Sequence, residues 1–356
     1  MRELLPSLID RVERGPVALA RVVDVTGAGP REIGAAMVVT ADGEVLGSIS
    51  GGCVEGAVVE AGAGVIAGSG AVVERFGVAD PDGIAVGLTC GGEMEVFIER
   101  VDRARRADLV ALHRGIEAHR PVALVTTLRS APEWRVVWPD DEDAAADVSR
   151  DARGMARAGR TGTVGADDGR TAFPPRAFVH SFGPPARLIL AGANDFVRAL
   201  SRVGAHLGYR VTVVDARETF TTPARFPAAH DVVVDWPHRY LRRQHEAGLL
   251  DTRTVVIVLT HDPKFDVPML AEALALDDLA FIGALGSRRT HADRIRRLTE
   301  TGVPPNRLRR LHSPVGLDLN ARTPEETAVS IAAQILAETS GGTARPLART
   351  HGPIHR

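Results

Sequence analysis

The strongest constraint on the fold lies in the second half of the chain, where short apolar runs alternate with helical stretches. Five such runs recur, and each is rich in residues that favour strands. They are Leu188–Ala191, Val211–Asp215, Val232–Asp235, Val255–Thr260 and Leu279–Ala284. Strands that alternate with helices form βαβ units, and these units build a parallel sheet. We therefore predict an α/β protein whose second half is Rossmann-like.

The length of 356 residues corresponds to about two domains. We place the boundary at Gly183-Pro184-Pro185, which gives an N-terminal mixed α+β domain, residues 1–183, and a Rossmann-like C-terminal domain, residues 184–340. Residues 139–170 are polar and are predicted to be partly exposed loop, with a helix around residues 143–157. Residues 341–356, rich in Gly, Pro, Arg and His, are predicted to be a disordered tail.

The first half mixes predicted helices and strands. Helices are predicted at Met1–Arg14, from Cys53 onward, and between Ala104 and Ala118. The predicted strands are Val17–Val25, Ala35–Thr40, Glu44–Ile49, Val72–Phe76, Met94–Ile98 and Val122–Thr127. In the second half, Thr323-Pro324-Glu325-Glu326 has the pattern of a helix-opening capping box.

Composition excludes several classes of function. The net charge of −2 gives no reason to expect nucleic-acid binding. Two cysteines cannot form a disulfide framework, so we expect a cytoplasmic protein. There is no uninterrupted apolar run of about 18 residues, and we predict no membrane span.

Both cysteines adjoin a Gly-Gly pair. The first lies in Ser50-Gly51-Gly52-Cys53, between a predicted strand and a predicted helix. A helix N-terminus offers N–H groups and partial positive charge, so this turn can bind an anionic cofactor. The same field is expected to stabilise the Cys53 thiolate. The alternative is a tight glycine turn in which Cys53 packs as a small apolar residue.

The second cysteine lies in Cys90-Gly91-Gly92, directly before a predicted strand. A glycine bulge with a buried cysteine is one interpretation of this segment. The other interpretation takes both cysteines together, because two thiols at one pocket could hold a soft metal or carry sulfur. The sequence does not decide whether Cys53 and Cys90 are close in space.

Two turns of the Rossmann-like half are candidate nucleotide or phosphate sites. In Gly192-Ala193-Asn194-Asp195, only the first glycine of the dinucleotide-binding fingerprint is present, which favours the fold but argues against tight NAD binding. Asp215, at the end of the second strand, is placed to hold a ribose hydroxyl. The alternative interpretation is a solvated carboxylate at the end of a strand. Gly286-Ser287-Arg288-Arg289 opens a helix and could clamp a phosphate, or it could be a loop with solvated arginines.

Acidic and imidazole side chains follow the fourth predicted strand and precede the last helix. His261, Asp262 and Asp266 could hold a metal or serve in acid–base chemistry, and the alternative is that they cap the next helix. In the loop 312–323, Asp318 is the best functional candidate.

Taken together, these segments resemble the XdhC/CoxI family of accessory proteins for molybdenum hydroxylases, over most of the chain. The resemblance rests on several motifs in the order expected of that family. They are Gly47-Ser48-Ile49-Ser50-Gly51-Gly52-Cys53-Val54-Glu55, Leu259-Thr260-His261-Asp262, Ile282-Gly283-Ala284-Leu285-Gly286-Ser287-Arg288-Arg289-Thr290, Val315-Gly316-Leu317-Asp318 and Thr323-Pro324-Glu325-Glu326. The Gly192-Ala193-Asn194-Asp195 turn departs from the more glycine-rich family pattern, which puts nucleotide binding in doubt but not the fold.

The resemblance implies a function. Such proteins bind the molybdenum cofactor (molybdopterin), shield it from oxidation and deliver it to xanthine dehydrogenase or a related hydroxylase. CoxI-like members are associated with carbon monoxide dehydrogenase, and some members cooperate with a cysteine desulfurase. The resemblance makes Cys53 the first candidate for cofactor contact and Cys90 the second. Two alternatives remain, an NAD(P)-dependent oxidoreductase and a sulfur-transfer enzyme, and self-association as a symmetric homo-oligomer is expected.

Overall fold

The structure is a computed structural model that describes residues 1–27, 29–77, 88, 92–140, 147–165 and 176–351. It contains two compact units. The first runs from Met1 to Pro184 and the second from Pro185 to Thr350. In the described part of the chain, no helix combines the length and apolar character needed to cross a membrane.

The first unit is mixed α+β, as the sequence predicts. Its elements in chain order are α1 (Leu5–Arg14), β1 (Val17–Thr26), β2 (Ala36–Thr40), β3 (Val45–Gly47), α2 (Glu55–Ala67), β4 (Val72–Phe76), β5 (Glu93–Val101), α3 (Arg106–Glu117), β6 (Val122–Thr127), β7 (Trp134–Val137), α4 (Asp147–Ala158), β8 (Gly162–Val164) and β9 (Ala177–Phe182). They form two antiparallel sheets, with strand orders β3-β2-β1-β5-β4 and β7-β6-β9-β8.

Side-chain alternation along the strands divides the first unit into layers. On β1, Ala18, Ala20 and Val22 face the core that packs against α2. Val17 and Leu19 point the other way, into a core shared with α1, α3 and the second sheet. This alternation follows from the two-residue period of a strand, so β1 is buried on both faces.

A buried ion pair connects the two sheets of the first unit. Arg21 on β1 donates to the Glu99 carboxylate on β5 and, at 2.8 Å, to the hydroxyl of Thr126 on β6. Trp134 on β7 donates its indole N–H to the second Glu99 oxygen at 2.7 Å. Arg21 and Glu99 are at most 1 % exposed, so each charge depends on the other for compensation.

The second unit is a parallel sheet covered on both faces. Its elements are β10 (Arg187–Ala191), α5 (Asp195–His206), β11 (Arg210–Asp215), β12 (Asp231–Val234), α6 (Pro237–Glu246), β13 (Val255–Val258), α7 (Pro263–Ala275), β14 (Phe281–Ala284), α8 (Arg288–Glu300), α9 (Pro305–Leu308), β15 (Leu311–His312) and α10 (Pro324–Ser340). The strand order is β12-β11-β10-β13-β14-β15, and every pairing is parallel. This is the doubly wound order of a Rossmann fold, so the predicted fold class is confirmed.

Helices cover both faces of this sheet, and each face has its own apolar core. α5 and α10 pack on one face, and α6, α7 and α8 pack on the other. α10 begins with the predicted capping box, in which the Thr323 side chain accepts from the Glu326 N–H and the Glu326 carboxylate accepts from the Thr323 N–H.

We predict that the Arg21–Glu99 pair stabilises the first unit mainly by mutual compensation. Arg21→Met leaves the Glu99 carboxylate buried without its cation, and it should lower the free energy of unfolding in urea by about 3–5 kcal/mol. The double variant Arg21→Met/Glu99→Leu removes both charges and should recover most of that loss. A single variant as stable as the wild type would contradict this role for the pair.

Candidate functional site

The Ser48–Glu55 segment folds around the carboxylate of its own last residue. One Glu55 oxygen, Oε1, accepts from the Ser48 hydroxyl at 2.7 Å and from the N–H groups of Ser50 and Gly51 at 2.9 and 3.0 Å. The other, Oε2, accepts from the Ser50 hydroxyl and from the Gly52 N–H at 2.9 Å. The loop therefore forms an anion-binding nest that Glu55 itself occupies.

The glycines of this loop are required by its backbone conformation. Gly51 and Gly52 have φ values of +88° and +120°, which turn successive N–H groups towards one point. Because these residues wrap around the carboxylate, α2 begins at Glu55 and not at Cys53, where the sequence predicted it. Strand β3 likewise ends at Gly47, whose φ is +78°, so the strand predicted over Glu44–Ile49 is shorter in the structure.

Hydrogen bonding keeps Glu55 ionised. Burial alone would raise the pKa of this carboxyl, but the hydrogen bonds from Ser50, Ser48 and the backbone N–H groups outweigh it and hold the pKa far below its ordinary range. The backbone N–H groups that we predicted to bind an external anion therefore donate to the Glu55 carboxylate of the same loop. An incoming phosphate would have to displace the Glu55 carboxylate from the nest.

Cys53 lies on the outside of the same loop. Its backbone N–H donates to the Ser50 hydroxyl at 3.0 Å, and the next N–H, that of Val54, donates to the same oxygen at 3.2 Å. Ser50 and Val54 are buried, whereas Cys53 is exposed. The loop is therefore anchored on its inner side and presents the cysteine outwards, which rules against the alternative that Cys53 packs as a small apolar residue.

The second cysteine motif falls largely outside the described residues. Cys90 and Gly91 lie there, and Gly92 is buried directly before β5. The distance between Cys53 and Cys90, which the sequence left open, therefore involves a residue outside the described part of the chain.

In the Rossmann-like unit, the first turn is closed by Asn194. This residue caps α5 by accepting from the Val197 N–H at 3.1 Å, and its side-chain NH₂ donates to the Leu259 carbonyl at 2.7 Å. A Cβ on Gly192 would lie 3.1 Å from Thr260, and the backbone there has a φ of +127°. Close packing between two loops at the sheet edge therefore explains Gly192 without a bound pyrophosphate.

Asp215 is buried at the end of β11 and is already paired. Its two oxygens accept from Nε and Nη2 of Arg217 at 2.9 and 2.6 Å, and Oδ1 also accepts from the Arg217 N–H at 2.9 Å. A ribose hydroxyl would have to compete with this bidentate pair. Arg217 also lines a cavity of about 470 Å³ at the sheet edge, together with Asn194, Phe220 and Phe265.

The candidates Gly286, Ser287, Arg288 and Arg289 lie at the start of α8. Ser287 caps α8 by accepting from the Thr290 N–H at 3.1 Å, next to Gly286, while Arg288 and Arg289 are exposed. Among the described residues 176–351, these four candidates do not line the 470 Å³ cavity.

Of the residues suggested for metal binding, Asp262 caps the next helix and Asp266 forms a buried ion pair. Asp262 accepts from the Lys264 N–H at 3.0 Å at the start of α7, and the neighbouring His261 is exposed. Asp266 is buried and accepts from Arg294 at 2.8 Å. Among the described residues, no three His, Cys, Asp or Glu side chains come together as metal ligands would.

Models of known protein families match both units of the chain. The family model for XdhC and CoxI matches residues 11–77, which contain the Ser48–Glu55 loop, and the XdhC Rossmann domain model matches residues 188–335. The chain belongs to the XdhC and CoxI family. The resemblance inferred from the motifs is therefore confirmed.

Curated relatives of this XdhC/CoxI chain extend over nearly its whole length. A probable xanthine dehydrogenase subunit of Bacillus subtilis is 27% identical over 346 residues, covering 94% of this chain and 96% of the relative. The molybdenum cofactor insertion chaperone PaoD of Escherichia coli is 27% identical over 338 residues, covering 94% and 87%. A crystal structure described as a xanthine dehydrogenase from Bacillus halodurans is similar with a TM-score of 0.72 and 28% identity, covering 98% and 97% of the two chains.

Two residues that shape these sites in the XdhC/CoxI chain were not predicted from the sequence. Glu55 lies in one of the family motifs, but no role was predicted for it. The available signal was an acidic residue shortly after the Ser-Gly-Gly-Cys turn, where its carboxylate can accept from the N–H groups of that turn. Arg217 was also missed; its signal was a basic residue two positions after the strand-end Asp215.

We predict that the charge of Glu55 stabilises the loop in a pH-dependent way. Glu55→Gln should lower the free energy of unfolding at pH 7 by about 1–2 kcal/mol, because hydrogen bonds to a charged acceptor are replaced by weaker ones. The folded pKa lies below the unfolded value of about 4.3, so the contribution of Glu55 is complete above about pH 5 and is lost as the pH falls.

Urea unfolding at pH 7 and at acidic pH measures this effect. The difference between wild type and Glu55→Gln should shrink towards acidic pH. Glu60→Gln, an exposed position on the same helix, is the matched control and should have little effect. A stability difference for Glu55→Gln that is constant with pH would contradict the role of the charge.

Proposed function

We propose that this protein binds the molybdenum cofactor at the Ser48–Glu55 loop and delivers it to a molybdenum hydroxylase of the xanthine dehydrogenase or carbon monoxide dehydrogenase kind. The relatives' names support cofactor insertion and a xanthine dehydrogenase connection. The observation that carries the proposal is an exposed cysteine on a loop whose backbone is fixed from the inside by Glu55.

The chemistry of the loop suits this cargo. A thiolate is a soft ligand, and soft ligands suit a sulfur-bound molybdenum centre better than carboxylates or hydroxyls do. Because Gly51, Gly52 and Ser50 are already held by Glu55, Cys53 is presented by a pre-organised backbone. A pre-organised ligand loses less conformational entropy on binding, which favours affinity for a cofactor that has to be handed on intact.

The domain assignments and partners belong to the same proposal. Residues 1–183 act as the cargo-binding domain and residues 184–340 as the Rossmann-like domain of a cytoplasmic homo-oligomer. A cysteine desulfurase is a proposed further partner, because a thiol that contacts the cofactor is also suited to bring sulfur to it. The alternative, an NAD(P)-dependent oxidoreductase, has less support. Asn194 links the first turn of the Rossmann-like unit to the Leu259 carbonyl, and Arg217 already pairs with the Asp215 carboxylate.

Cys53→Ser tests the binding step. Under strictly anaerobic conditions, equilibrium binding of purified molybdenum cofactor should weaken at least tenfold in this variant, because a hydroxyl is a poor ligand for a soft centre. Cys90→Ser is the matched control at the other cysteine and should have the smaller effect. Wild-type affinity in Cys53→Ser would remove the thiol from the mechanism, and a wild type that does not bind the cofactor would refute the proposed function.

A further inference from the structure

The first unit contains a cavity that none of the predicted motifs identified. Its volume is about 580 Å³, and its wall includes Arg2, Gly34, Ser48, Thr161, His180 and Ser181. A volume of this size is within the range of about 300–1,000 Å³ that is typical of small-molecule sites. Ser48 is the residue that begins the Glu55-centred loop, so the cavity borders the first residue of the candidate cofactor loop. We call it the His180 cavity.

His180 stands on β9 with an unpaired nitrogen. The side chain is only 6 % exposed, and its ring stacks on Phe182 with a centroid distance of 4.4 Å. Among the described residues, its Nδ1 has no hydrogen-bond partner, and neither does the buried hydroxyl of the adjacent Ser181. Leaving a buried polar group unpaired costs about 1–3 kcal/mol, so the unpaired nitrogen of this cavity-lining residue needs an explanation.

The backbone of Gly34 approaches the His180 imidazole closely. A Cβ on Gly34 would come within 3.0 Å of Nε2 of His180 and 3.3 Å of Thr161. Gly34 has a φ of +96°, which also favours glycine at this position. A side chain at position 34 would therefore crowd the His180 ring, which glycine avoids.

The imidazole is held neutral. Burial, with the nearby charge of Arg21 as the next contribution, places the pKa of His180 well below its ordinary value. A neutral imidazole offers one N–H donor and one acceptor nitrogen. The charged side chains on the cavity wall, Arg2, Glu3, Arg31 and Glu32, balance in sign, and the Met1 amino group adds at most one positive charge, so the cavity carries no strong net charge.

We propose that the His180 cavity binds the pterin ring of the molybdenum cofactor, with the His180 imidazole hydrogen-bonded to the edge of the ring. A pterin is a flat heterocycle that carries both hydrogen-bond donors and acceptors, and its edge can therefore pair with a neutral imidazole. This inference rests on the proposed function and adds to it, because it assigns the organic part of the cargo to a cavity that the loop residue Ser48 helps to form.

His180→Phe tests the assignment. Phenylalanine preserves the stacking on Phe182 but removes both ring nitrogens. The variant should be at least as stable as the wild type in thermal unfolding, because an unpaired buried polar group is replaced by an apolar one. Its affinity for purified molybdenum cofactor, measured by anaerobic calorimetry, should fall about tenfold. A merely structural histidine would not combine retained stability with lost binding.

Two further variants keep the test decisive. His113→Phe makes the same substitution on α3 in the same unit and should bind the cofactor like the wild type. Glu32→Trp places a large side chain at an exposed position of the cavity wall, where folding tolerates it, and should block binding even if His180→Phe does not fold.

The outcomes separate this inference from the proposed function. Unchanged cofactor affinity in both His180→Phe and Glu32→Trp, with weakened binding in Cys53→Ser, would overturn the cavity assignment and leave the proposed function standing. Competition by free 6-hydroxymethylpterin, absent in His180→Phe, would support the assignment, whereas competition by free guanine but not by the pterin would overturn it. A wild type that binds no cofactor would refute both.

Discussion

The hydrogen-bonded carboxylate of Glu55 is the interaction on which the candidate site depends. It gathers the N–H groups of Ser50, Gly51 and Gly52 and the hydroxyl of Ser48 around one charge. Such a nest at a helix start would ordinarily attract an external anion. Here the chain supplies its own anion, so the loop has a defined shape before any ligand arrives. What remains for a ligand is the outward side of the loop, where Cys53 is exposed.

Internal partners also occupy the binding positions of the Rossmann-like unit. Its strand order is that of dinucleotide-binding proteins, yet the positions that would hold a dinucleotide are engaged within the chain. Asn194 bridges the first turn to the Leu259 carbonyl, and Arg217 covers the Asp215 carboxylate. A fold is therefore a poor guide to a ligand unless the side chains at its sheet edge are free to bind one.

Much of the architecture could be predicted from the sequence because it rests on local patterns. The buried parallel strands appear as apolar runs, and the capping box of α10 lies within four consecutive residues. Strand β15, with two residues, is too short to produce such a run. Strand β9 was also missed, since its hexapeptide Ala177–Phe182 carries a histidine and a serine among the apolar residues.

The site was harder to predict because its contacts are not local. The direction of the Glu55 side chain depends on two glycines with positive φ, which moved the helix start by two residues. His180 and Gly34 are separated by more than a hundred residues and meet only where the two antiparallel sheets of the first unit pack together, and no periodicity or spacing in the sequence reports a contact of that kind.

We propose that the cofactor binds to the first unit at the Ser48–Glu55 loop. Hydrogen–deuterium exchange read by mass spectrometry, with and without molybdenum cofactor under anaerobic conditions, tests it most directly. On addition of the cofactor, we expect slower amide exchange in peptides that cover residues 47–55. Protection confined to the Rossmann-like sheet edge, at residues 192–198 and 215–226, would contradict it and place the cargo in the other unit.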